Sequence, residues 1–119
     1  MTPPLTFVES AAFTDLWQAY LDDDQLLLLQ RALLADPSAG DPMPGCGVLR
    51  KLRIADPRRA SGKRGGYRVI YMHTPTAHRI DLIAVYPKSR TSGLRPDTVR
   101  ALCRVARAIR QSLEQGGNP

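Results

Sequence analysis

The hydrophobic positions of this 119-residue chain follow two periods, helical toward both ends and strand-like in the middle. A short β-prone start, "LTFVES", ends in Ser10, which is placed to cap a helix where Phe13, Leu16, Trp17, Tyr20 and Leu21 recur at helical spacing. The next segment, "DDDQLLLLQRALLADP", predicts a second helix. Asp22 and Gln25 stand at capping-box spacing, three acids sit where the helix dipole favours them, and Pro37 ends the run. Leu26, Leu29 and Leu33 share one face, and Leu27, Leu28 and Leu34 are expected to widen it into the core. The two helices follow almost directly, which predicts an antiparallel pair.

Three glycines and two prolines in "SAGDPMPGCG" mark a loop, after which the period changes. "VLRKLRIA", "YRVIYMHT" and "HRIDLIAVYP" read as strands, separated by "DPRRASGKRGG" and the tight "PTA", so an antiparallel meander is expected. "RPDTVRALCRVARAIRQSLEQGG" closes the chain as a helix with Pro96 in its first turn and a stripe of Val99, Leu102, Cys103, Ala106, Ile109 and Leu113. The order β-α-α-β-β-β-α predicts one α+β domain over residues 1–119, with its core from about residue 5 to 113. A small, twisted, mostly antiparallel sheet is expected to pack on the two N-terminal helices. The helices are expected to cover one face of it and leave the other open.

Composition supports a folded globular chain, with 43% hydrophobic and 24% charged residues. The dense apolar run Leu26 to Leu29 falls far short of the roughly 20 residues that cross a bilayer, and "MTPPLTFVES" lacks the basic start of a signal peptide. A cytoplasmic protein without a membrane partner is therefore expected. Cys46 and Cys103 have neither CxxC spacing nor a neighbouring histidine pair, so both are expected to be reduced thiols. No acidic cluster occurs in the basic half, and no metal or other cofactor is expected.

Charge changes the picture most. Residues 1–49 carry one basic and seven acidic side chains, so −6, while residues 50–95 carry twelve basic against Asp56 and Asp81, so +10. Such concentration is the footprint of a polyanion binder. Alternation along the strands puts Lys51 and Arg53 on one face, Arg68 with Ile70 and Met72, and Tyr86 and Lys88 with Leu82 and Ala84. These charges are expected to converge on the open face of the sheet, whereas Arg50 points the other way and reads as a solvated edge. His73 and His78 flank the "TPTA" turn and read as ordinary turn residues. Arginine, lysine and tyrosine without acidic partners suit one kind of RNA chemistry. A base takes the proton of a 2′-hydroxyl, a cation steadies the phosphate under attack, and an acid protonates the leaving 5′-oxygen. Lysine serves as base only where neighbouring like charges lower its pKa, while arginine stays charged and suits the clamp. "SGKRGG" is no Walker A motif, and it reads either as a phosphate cradle or as a solvated hairpin loop. Arg100, Arg104 and Arg107, one turn apart on the last helix, read either as a solvated face or as a nucleic-acid contact.

The run "LLLLQRALLADPSAGDPMPGCGVLRKLR", followed by "GKRGGYRVIYMH" and "IDLIAVYPKS", resembles the RelE/ParE superfamily of toxins from type II toxin-antitoxin modules, in particular its HigB-like RelE branch. The resemblance covers about Phe7 to Leu102 and keeps the order of elements. It departs from the family pattern in the "GCG" around Cys46, in a longer and more basic hairpin, and in Pro87 within the last motif. There a strand end or bulge is expected, because proline removes a ladder donor. The resemblance implies a RelE-like fold and a ribosome-dependent endoribonuclease that cuts mRNA without a metal. It implies as partners a cognate antitoxin on the basic face, the ribosome with its 16S rRNA, and mRNA. Carried over by motif, the catalytic set is Lys51, Arg53, Lys63, Arg68, Tyr86 and Lys88, with Arg68 as phosphate clamp. Arg58, Arg59, Arg64, Arg90, Arg100 and Arg104 would grip RNA. The same fold also occurs in ParE-like inhibitors of DNA gyrase, which generally lack basic residues on the strand faces, and could serve a non-catalytic RNA-binding module.

Overall fold

The computed structural model describes residues 4–54, 66–87 and 94–115. Local signals build most of its elements. Ser10 caps helix α1 (Ala11–Tyr20), its Oγ accepting from the Phe13 N–H at 3.0 Å. Helix α2 (Asp23–Ala35) opens with both halves of the capping box, Gln25 N–H to Asp22 at 2.8 Å and Asp22 N–H to the Gln25 side chain at 2.9 Å. Strands β1 (Thr6–Glu9), β2 (Asp41–Met43), β3 (Cys46–Ile54), β4 (Tyr67–Thr74) and β5 (Arg79–Pro87) form one sheet in the order β1-β5-β4-β3-β2. β3, β4 and β5 form the expected antiparallel meander, and β1 adds to β5 in parallel. Helix α3 (Pro96–Glu114) completes the α+β fold. No helix among the described residues is long and apolar enough to cross a membrane.

Several expectations are corrected. The loop before β3 contains the short edge strand β2, pairing Asp41 with Lys51 and Pro42 with Arg50. Its proline is tolerated because an edge strand pairs on one side only. Helices cover both faces of the sheet, not one. α1 and α2 bury Phe13, Leu29 and Leu33 against Val69, Tyr71, Leu82 and Val85, while α3 buries Cys103 and Ala106 against Ile70, Met72 and Ile83 on the opposite face. The unbroken apolar run Val69 to Met72 in β4 is the sequence counterpart of this two-sided burial. The buried stripe of α2 is also narrower than its leucines suggest, for Leu28 and Leu34 remain 54% exposed. Finally, Cys46 and Cys103 are joined in a disulfide, with a Cα–Cα distance of 5.9 Å. It fastens α3 to the start of β3 across 57 residues of sequence, a closure that stabilises by roughly 2–4 kcal/mol.

Two long-range polar ties hold the sheet to what surrounds it. In β5, Ile83 is the extra residue of a bulge, since Ile70 pairs with Ala84 and Tyr71 with Leu82. The Ser10 N–H donates to Leu82 O at 2.9 Å and its hydroxyl donates to Ile83 O at 2.7 Å, so the α1 cap also satisfies the bulge. β5 itself continues to Pro87, where its described part ends. On the α2 side the fully buried Tyr71 phenol donates to Pro37 O at 2.8 Å and accepts from the Gly40 N–H at 2.9 Å. Arg50 is a clamp on the same loop and not a solvated edge, donating to Gly40 O at 2.7 Å and Ser38 O at 3.3 Å. A Cβ on Gly40 would lie 2.9 Å from both Lys51 O and Tyr71 Cε1. Gly40→Ala is accordingly expected to destabilise by about 1–3 kcal/mol, read as a lower urea midpoint at constant slope.

Candidate nucleic-acid interface

Strand register decides which basic residues meet. Arg53 of β3 pairs with Arg68 of β4, and Arg68 pairs with Tyr86 of β5, so the three form one row across the sheet. The next row holds Lys51, Ile70 and Ala84. Ile70, Ala84 and Tyr86 belong to the core cluster under α3, which places both rows on the α3 face. α3 occupies much of the face that was expected to stand open. Arg53 is exposed, and Lys51, Arg68 and Tyr86 are partly exposed at its edge.

The electrostatics of the row centre on Arg68. Burial lowers its pKa, the neighbouring Arg53 charge lowers it further, and Tyr86 acts in the opposite sense. Arginine nonetheless remains a cation at physiological pH. Its Nη1 is buried with no hydrogen-bond partner among the described residues. A desolvated cation beside a second cation, with an N–H group unspent, is stabilised by an anion placed between the two. Burial raises the Tyr86 pKa above its ordinary 10.0 while Arg68 pulls it down, so the phenol, protonated at neutral pH as any tyrosine is, has a proton to donate.

Beside the row runs a groove of about 370 Å³ between the sheet and the first turns of α3. Lys51, Tyr86 and Arg100 line it, together with the apolar side chains of Met43, Leu94 and Val99. Charge on an apolar floor suits a nucleotide, whose base is flat and apolar and whose phosphate is anionic. Sequence reasoning placed Val99 in the core stripe and did not find Met43 or Leu94. Both lie outside α3, and they line the groove only because that helix docks over β2 and β3, which is a tertiary fact.

The structure thus brings Arg53, Arg68 and Tyr86 together and sets Lys51 and Arg100 at the adjoining groove. Arg104 stands exposed one turn farther along α3. Lys63, Lys88, Arg58, Arg59, Arg64 and Arg90 lie outside the described residues. Arg79 is unavailable to a ligand, because the buried Asp81 holds it in a fork at 2.8–3.2 Å. His73, beside the turn as expected, has its pKa lowered by burial and then by Arg110 and Arg50, and its carbonyl accepts from Arg110 of α3.

No protein-family model matches the chain. Among solved structures it is similar to an arginine-to-alanine double mutant of the E. coli toxin RelE in the free state. There the TM-score is 0.52 at 14% identity, over 76% of this chain and 90% of that one. It is also similar to the intact E. coli RelBE toxin-antitoxin complex, with a TM-score of 0.50 at 19% identity over 68% of this chain and 93% of that one. At these identities the likeness is one of architecture, and the five-stranded, mostly antiparallel sheet with its three helices has the RelE fold.

Proposed function

We propose that this chain is the toxin of a type II toxin-antitoxin module, of the HigB-like branch, and that it cleaves mRNA on the ribosome in the cytoplasm. The observation that carries the reading is the row Arg53, Arg68 and Tyr86 with Lys51 and Arg100 beside it: cations and a protonated phenol gathered on one sheet face. In this reading the 2′-hydroxyl of one nucleotide attacks the adjacent phosphate. A lysine, either Lys51 of the patch or one of the motif lysines Lys63 and Lys88, takes the hydroxyl proton. Arg68, with Arg53, holds the phosphate oxygens as negative charge builds on them. Tyr86 protonates the departing 5′-oxygen, leaving a 2′,3′-cyclic phosphate on the upstream fragment. A small interface of this kind makes few contacts with RNA, and the ribosome would supply the rest of the orientation. The basic hairpin with Arg58, Arg59 and Arg64, and Arg90, Arg100 and Arg104, would grip ribosomal RNA. The likeness to a toxin-antitoxin complex supports a cognate antitoxin as partner, and in this reading it covers the same face.

The test is purified protein added to translating ribosomes carrying a reporter mRNA, read by primer extension. Discrete cleavage that needs the ribosome is expected. Intact mRNA together with inhibited supercoiling by DNA gyrase would assign the chain to the gyrase-inhibiting branch of the fold. Salt-sensitive RNA binding without cleavage would reduce the patch to a binding surface.

A further inference from the structure

The disulfide lies where it can control the groove. Cys46 directly follows Gly45, which lines one side, and Cys103 comes three residues after Arg100, which lines the other, so the bond joins the two walls. Its share in holding α3 is large. Val99, Leu102 and Ile109 pack against the sheet only partly buried, and of the helix's nineteen residues only Cys103 and Ala106 are buried, one of them half of the bond. The core under α1 and α2 lies on the opposite face of the sheet and does not include either cysteine. The Nε–H of Arg107 also donates to the Cys103 sulfur at 3.2 Å. A guanidinium in that position stabilises a thiolate and makes Cys103 the better leaving group in thiol exchange.

We propose that Cys46–Cys103 is a redox latch, opened by a dithiol reductant, which releases α3 from the basic face while the rest of the domain stays folded. Both cysteines are mostly buried, at 1% and 8% exposure, so exchange proceeds from states in which α3 has lifted locally. A thiolate of the reductant bonds to the Cys46 sulfur, the S–S bond breaks, and its electron pair leaves on Cys103 beside Arg107. The second thiolate of the reductant then attacks the mixed disulfide and expels Cys46. The reductant ends as a cyclic disulfide, and the protein gains two electrons and the two protons that the reductant gave up. Release of α3 withdraws Arg100 and Val99 from the groove and uncovers Ile70 and Met72 beside the Arg68 row. The latch does not depend on the chain being a nuclease.

Hydrogen exchange on the full chain, oxidised and then reduced with dithiothreitol, tests it. On reduction the amides of α3 are expected to exchange at least roughly tenfold faster, with those of β4, β5 and α1 unchanged. Reoxidation should restore the protection, and the double variant Cys46→Ser/Cys103→Ser should match the reduced protein without any reductant. Protection of α3 that survives reduction overturns the latch. So does loss of protection throughout the domain, which would make the bond a plain structural staple. Arg107→Gln is expected to slow reduction of the oxidised chain roughly three- to tenfold, counted as thiols released per minute. An unchanged rate removes Arg107 from the proposal.

Discussion

Arg68→Ala is expected to lower the rate of ribosome-dependent mRNA cleavage by roughly two to three orders of magnitude, the usual cost of losing one preorganised charge stabiliser. Arg68 is the middle of its row, flanked by Arg53 and Tyr86 on neighbouring strands, and holds a buried N–H group without a partner among the described residues. In this reading the phosphate supplies its partner. The loss should therefore appear in the chemical step, measured under single-turnover conditions with saturating ribosomes. Arg68→Lys keeps the charge but not the planar fork, and should fall between alanine and the wild type. Folding should survive both changes, because Arg68 is only partly buried and stands beside the like charge of Arg53, a repulsion that alanine relieves and lysine merely keeps. A stably folded Arg68→Ala protein that cleaves at the wild-type rate would show that the phosphate is held elsewhere.

Tyr71 should dominate stability as Arg68 dominates activity. Tyr71→Ala empties a fully buried ring site and strands both Pro37 O and Gly40 N–H, with an expected loss of at least about 4 kcal/mol. That is a large part of the roughly 5–15 kcal/mol that holds a domain of this kind together. Tyr71→Phe keeps the ring and removes only the hydroxyl. It should cost about 1–3 kcal/mol, or roughly 4–12 °C in Tm. The two variants separate ring burial from the polar tie in urea unfolding. The pH dependence provides a further check. Burial raises the phenol's pKa above its ordinary 10.0, so the folded protein keeps a proton that the unfolded chain gives up. Stability from this group is complete below pH 10 and declines as the pH rises through the folded value. Tyr71→Phe should flatten that alkaline decline, and an unaltered decline would show that the phenol is not the group responsible.

Neither residue could be ranked in this way before the chain was folded. Tyr71 reads as one more apolar position in "YRVIYMHT", and its partners lie 34 and 31 residues away, at Pro37 and Gly40. Arg68 was legible as a candidate by its motif, but its neighbours were not. A shift of one residue between β3 and β4 would have moved Arg53 away from it and changed the face on which each side chain stands. Arg50 shows the same limit, having the appearance of a surface charge and the position of a loop clamp.

What the amino-acid order determined by itself was whatever acts over a few residues. The Ser10 cap, the Asp22 and Gln25 capping box, the helical stripes, the strand meander and the gathering of positive charge in residues 50–95 depend on neighbours within a turn or two. Tertiary structure decided the rest. Docking α3 on the far face turned an open sheet into a sheet covered on both sides and brought Cys46 and Cys103, 57 residues apart, to bonding distance. Strand register then chose which basic side chains share a row. Both outcomes depend on pairings between distant segments, and spacing along the chain carries no record of which segment a strand or a helix will meet.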